Sequence, residues 1–169
     1  MGANIMIFNE KGLLNPGFFE YKLNEFEKIF VDDFYESQSR KAIFKGFIKW
    51  LKQLLTFCYP DEIWIDGSFV TSKINPNDID VVVFVDLMVL YNNKIELEEM
   101  RILGEENFCD TYIAFSPNEN YPGNIKLINH RNYWKGQFGF DREDNPKGIV
   151  KISNDDLESF VKEVVEGVK

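Results

Sequence analysis

The chain has 169 residues, enough for one domain with a substantial core, and carries a formal net charge of −9. A hydrophobic fraction of 44% with 16 Phe, 7 Tyr and 3 Trp excludes a disordered chain, and the acidic balance argues against broad, non-specific DNA binding. Cys58 and Cys109 stand alone, without Cys-x-x-Cys spacing or a His pattern, so neither a zinc site nor a disulfide framework is indicated. No long apolar run exists, Val81 to Val85 being cut by Asp86, and the N-terminus lacks a charged-then-apolar pattern. No membrane partner and a cytoplasmic location are therefore expected.

In chain order, residues 1–20 mix short apolar pieces with the breakers Lys11-Gly12 and Asn15-Pro16-Gly17. They are expected to form an extended arm that packs Ile5, Ile7, Phe8, Leu13 and Leu14 on the rest. Leu23, Phe26, Ile29 and Phe30 recur at helical spacing and predict a short helix. A stronger helix is expected over 36–56, with Ile43, Phe44, Phe47, Leu51, Leu54 and Leu55 on one face and Lys41, Lys45, Lys49 and Lys52 striping another. Pro60 ends it.

A strand is expected over 62–66 and a second over 79–85. Residues 94–104 fit a helix closed by Gly104. Asp110 to Phe115 reads as a third strand and Asn124 to Gln137 as a helix. Gly148 to Ile152 reads as a fourth strand, and Ser153-Asn154-Asp155-Asp156 as a capping box opening a helix over 157–165. There is no repeat and no linker. The pattern predicts a single α+β domain over 1–169, with 1–60 as an N-terminal arm and helical extension packing on the core.

The stretch from Ile63 to Asp86 concentrates the chemistry. One apolar run ends in Asp66-Gly67-Ser68, and the next is opened by Asp78-Ile79-Asp80. Side chains two apart on a strand share a face, so Asp78 and Asp80 point the same way. Two carboxylates about 4 Å apart repel by about 4 kcal/mol at an effective dielectric of 20, an arrangement that asks for a cation. Taken singly, Asp78 could close an Asx turn, Asp80 could form a strand-end salt bridge, and Asp110 could simply be solvated.

Gly67-Ser68, then Asp78-x-Asp80, then a later strand with Asp110 near its start, resembles the polymerase-beta-type nucleotidyltransferase superfamily. Trp64 to Thr71 and Asn77 to Val81 look like a group of small prokaryotic nucleotidyltransferase-like proteins, some encoded beside toxin–antitoxin or phage-defence genes. The resemblance implies a small mixed β-sheet with helices packed against it. It also implies that Asp78, Asp80 and Asp110 are catalytic and hold two Mg²⁺ ions (or Mn²⁺), while Gly67 and Ser68 bind the phosphates of an NTP. The implied reaction moves an NMP onto a protein or RNA hydroxyl, with a cognate toxin or antitoxin as one such acceptor, and releases pyrophosphate.

Three departures stand out: Phe69 replaces the basic residue often found after Gly-Ser, the second Gly of the turn is absent, and Asp66 precedes Gly67. Lys73 could supply the missing charge, with Arg142 and Lys147 as further basic candidates. The altered loop motivates an alternative, a catalytically silent module that binds a partner protein. A sugar-nucleotide glycosyltransferase would leave Gly67-Ser68 unexplained. The lysine stripe reads as a solvated face and His130 as a satisfied histidine. Tyr133, Trp134 and Phe138 read as sheet-packing aromatics.

Overall fold

A computed structural model describes residues 7–154 together with 157, 159 and 160. Its frame is a five-stranded mixed sheet in the order β1 (Gly17–Tyr21), β5 (Gly148–Ile152), β2 (Glu62–Asp66), β3 (Ile79–Val85), β4 (Cys109–Phe115). β1 and β5 are parallel, as are β3 and β4, while β2 runs antiparallel to both β5 and β3. The architecture is α+β, as the alternation of apolar runs and helical periods implied.

Helices cover both faces of this sheet, which is why β3 reads as an almost unbroken apolar run. On one face lie α1 (Leu23–Glu27), continued by a π-helical turn over Lys28–Asp32, then α2 (Arg40–Leu54) and α4 (Lys94–Glu106). Phe26, Phe30, Phe47, Trp50 and Leu54 meet Ile63, Ile65, Val81 and Val83 there, all with no exposed surface. Burying each such side chain contributes roughly 1.5–3 kcal/mol. Trp50 can be buried because its Nε1 donates to the Met100 carbonyl at 2.8 Å. On the opposite face α5 (Ile125–Phe138) covers a smaller cluster of Trp64, Val82, Phe84, Ala114, Phe138 and Ile149. The Asn124 side chain caps α5 by accepting from the Lys126 and Leu127 amides.

Several expectations need correction. The N-terminal stretch is more than an arm: Gly17–Tyr21 is an edge strand in register with 148–152, and its flanking breakers hid it. The short helix widens into a π turn after Glu27, where the Asp33 amide donates to the Lys28 carbonyl, and the long one starts at Arg40, because Gln38 and Ser39 are tied by hydrogen bonds to the 75–76 segment. Gly104 does not close its helix, which runs on to Glu106. A Cβ there would stand 2.8 Å from Thr111 Oγ1 and 2.9 Å from the Cys109 carbonyl, so glycine lets α4 lie close on β4. A further short helix, α3 (Leu87–Asn92), follows β3, with Asp86 accepting from the Met88 amide at its start. Ile5, the full capping box and the helix expected over 157–165 lie wholly or partly outside the described residues. Among the described residues no helix is long and apolar enough to cross a membrane.

Candidate functional site

Asp80 stands on β3 in the same parity as Val82 and Phe84, so it points to the α5 face of the sheet. Asp66 is its register partner on β2 and Asp110 its register partner on β4. Paired residues on neighbouring strands project from the same face with Cα atoms about 4.5–5.5 Å apart. Three carboxylates therefore form a row across three adjacent strands, and Asp78 adds a fourth two residues before Asp80. This row forms part of the lining of a cleft of about 970 Å³, which also takes in Gly67, Ser68 and Lys73. The six residues singled out from sequence thus meet in one hollow, although Asp110 lies thirty residues beyond Asp80.

Local chain geometry makes the row possible. Gly67 has φ 78°, and a Cβ on it would lie 1.8 Å from Asp80 Oδ2. Only glycine lets the end of β2 approach the carboxylate and turn in this way. Ser68–Val70 then form one 3₁₀ turn that buries Phe69 and Val70. Phe69 stacks on Phe26 with ring centroids 5.9 Å apart, so the residue after Gly-Ser serves the core and offers no charge to the cleft.

Asp66 was not among the candidate site residues, and the structure gives it a partner. Lys147, just ahead of β5, donates its Nζ to Asp66 Oδ1, both side chains being 7% exposed. Burial pushes the Asp66 carboxyl up to about 7, against the pull of Lys147 and the Gly67 amide, with Asp80 adding to the rise. Burial, then the charges of Asp78 and Asp110, push Asp80 up to about 6, opposed by Lys147 and Arg142. Asp110 is raised by burial, Asp78 and Glu105. The hollow thus holds more negative charge than its own cations offset.

Aromatic side chains form the facing wall. Tyr112 and Trp134 lie 4.8 Å apart, and Trp134 meets Phe138 at 5.7 Å. Tyr133 and Phe140 also line the cleft and stay about half exposed. His130 sits elsewhere, accepting at Nδ1 from the Phe115 amide at 3.2 Å, and its burial lowers its pKa. The four lysines of α2 are all exposed.

The donor set tests the implied metal. Among the described residues no three His, Cys, Asp or Glu side chains converge into a finished cage. A row of carboxylate oxygens open to a cleft nevertheless suits Mg²⁺, which takes one or two carboxylates and completes its shell with water and substrate phosphates. Burial of Asp80 and its repulsion by Asp78 and Asp110, which outweigh the pull of Lys147 and Arg142, fit that need.

No curated protein and no solved structure matches the chain. Residues 6–153 match the family described as "Family of unknown function (DUF6932)". That span takes in all five strands and every residue of the cleft, so the chain belongs to the DUF6932 family.

Proposed function

We propose that the protein is a metal-dependent nucleotidyltransferase with a nucleotidyltransferase-like fold, moving an NMP from an NTP to a hydroxyl group. The observation that carries this reading is the register of Asp80 with Asp110, beside Gly67-Ser68 and within one cleft. Asp78, Asp80 and Asp110 would hold Mg²⁺ or Mn²⁺. The bound ions would supply charge neutralisation at the phosphates and at the attacking and leaving oxygens. Ser68 and Lys73 face the same hollow and suit the β- and γ-phosphates. Asp110, exposed and lining the cleft, orients the acceptor hydroxyl and takes its proton. The hydroxyl oxygen bonds to the α-phosphorus as the bond to the bridging oxygen breaks, and pyrophosphate departs. The acidic net charge favours a protein acceptor, such as a cognate toxin or antitoxin, over long RNA.

Replacing Asp78 and Asp80 together by Ala should abolish labelling by an α-phosphate-labelled NTP. Removing the ion-holding carboxylates withdraws several kcal/mol of transition-state stabilisation, on the order of a thousandfold in rate. Undiminished labelling by a folded double variant overturns the reading. The burial of Phe69 favours the second reading, a partner-binding module without catalysis. Calorimetry with Mg²⁺ and each NTP separates the two, since the module gives no heat with any nucleotide.

The ion should also report through stability. Asp80 titrates above the usual carboxylate range, at about 6, so the ion-free folded state holds its proton more tightly than the unfolded chain. That stabilisation is present at low pH and is lost as pH rises through about 6. Mg²⁺ takes the place of the proton. The rise in Tm on adding Mg²⁺ is therefore expected to be larger at pH 8 than at pH 5, and to vanish in Asp80→Asn. Equal shifts at both pH values would place the ion elsewhere.

A further inference from the structure

The loop between Gly67-Ser68 and Asp78 is held from behind by one side chain. Arg40, the first residue of α2, has no exposed surface and pairs with no carboxylate among the described residues. Its Nη1 donates to the carbonyls of Phe30 at 2.7 Å and Phe69 at 2.6 Å. Nη2 donates to Thr71 at 2.9 Å and Lys73 at 2.6 Å, and Nε to Ile74 at 3.3 Å. A guanidinium has five N–H donors in a rigid fork, and here it meets five carbonyls. Its Cζ lies 3.6 Å from the Phe34 ring centroid and 5.0 Å from that of Phe69. The preceding residues extend the grip: Ser39 Oγ donates to the Pro76 carbonyl at 2.7 Å, and the Gln38 amide to Asn75 Oδ1 at 2.8 Å.

Four of those carbonyls belong to the loop, and their oxygens are drawn to a cation that does not line the cleft. Ser68, Thr71, Lys73 and Asn77 line it instead. A carbonyl oxygen turned into the cleft would repel phosphate, so sorting these dipoles to the rear matters to an anionic ligand. We infer that Arg40 is the positioning residue for the polyphosphate end of the ligand, fixing the loop so that Ser68 and Lys73 meet phosphate oxygens. The inference rests on the nucleotidyl-transfer reading and accounts for a loop that functions with Phe69 in place of a basic residue.

Inorganic triphosphate with Mn²⁺ is the probe, with Mn²⁺ alone as its control, in calorimetry on the full chain. Arg40→Lys keeps the charge and loses the fork. Ser39→Ala with Asn75→Ala loosens the same loop and leaves Arg40 intact, which keeps the test alive should Arg40→Lys fail to fold. Affinity for Mn²⁺ alone is expected to change by less than about threefold in both, because Asp80 and Asp110 are held by strand pairing. Affinity for Mn²⁺-triphosphate is expected to fall about tenfold in Arg40→Lys and about threefold in the double variant. Unchanged triphosphate affinity in a folded variant, or equal losses for ion and triphosphate, overturns the inference and leaves the transfer reading standing. A wild-type protein that binds neither Mn²⁺ nor triphosphate overturns the transfer reading itself, and this inference with it.

Discussion

Arg40→Met should lower the free energy of unfolding by about 4–5 kcal/mol, the largest single-residue loss expected in this chain. Five carbonyls lose their Arg40 donor at once. A buried acceptor left unpaired costs about 1–3 kcal/mol. The five are not additive, because the loop edge can relax towards water at Lys73 and Ile74. Methionine replaces much of the stem volume, so the loss reads the polar cage and not a cavity. Against a typical domain stability of about 5–15 kcal/mol, a loss of that size leaves a visible unfolded fraction. Urea unfolding followed by far-UV circular dichroism measures it; a loss under about 1 kcal/mol would mean that the cage contributes nothing net.

Neither Arg40 nor its task could be read from the sequence. It stands beside the lysine stripe of an amphipathic helix, where a basic residue reads as solvated, and its partners are backbone atoms that no side-chain pattern encodes. The strands were legible for the opposite reason. Ile63 to Ile65 and Val81 to Val85 are apolar without a break, bounded by Gly67 and Asp86, and burial on both faces leaves a local signature. β1 left none: Phe18 and Glu20 are partly or fully exposed, its partner is 131 residues away, and Pro16-Gly17 reads as a turn.

The candidate site was legible to the extent that its chemistry is carried by unusual residues in unusual places. Asp78 and Asp80 stand where a strand should start with something it can bury, and Gly67-Ser68 stands where the preceding strand ends. Asp110 was reachable through its place at the start of a strand. Its alignment with Asp80 depends on a parallel pairing across α3 and α4, which only the fold settles. The Asp66–Lys147 pair spans 81 residues and joins a residue read only as a departure before Gly67 to one read as a basic candidate for the phosphates. Long-range pairing of this kind has no local signal.

That pair carries the second large effect. Lys147→Met leaves the Asp66 carboxylate buried beside Asp80 with no cation against it, and removal of one partner from a buried pair costs about 3–5 kcal/mol. The loss depends on pH, and its sign follows from the direction of the shift. Burial already holds Asp66 up at about 7, with Lys147 pulling the other way, so without Lys147 the carboxyl climbs further. A raised carboxyl stabilises the folded state while it keeps its proton and loses that contribution as pH rises through its folded value. Lys147→Met is therefore expected to cost most at pH 8 and markedly less at pH 5, where Asp66 is protonated and uncharged. Adding Asp66→Asn to Lys147→Met removes the stranded charge, and the double variant should recover most of the loss at pH 8 and little at pH 5. Urea unfolding of the three proteins at both pH values decides it: a pH-independent cost in Lys147→Met would mean that the lysine acts by packing its stem, and not by holding the charge of Asp66.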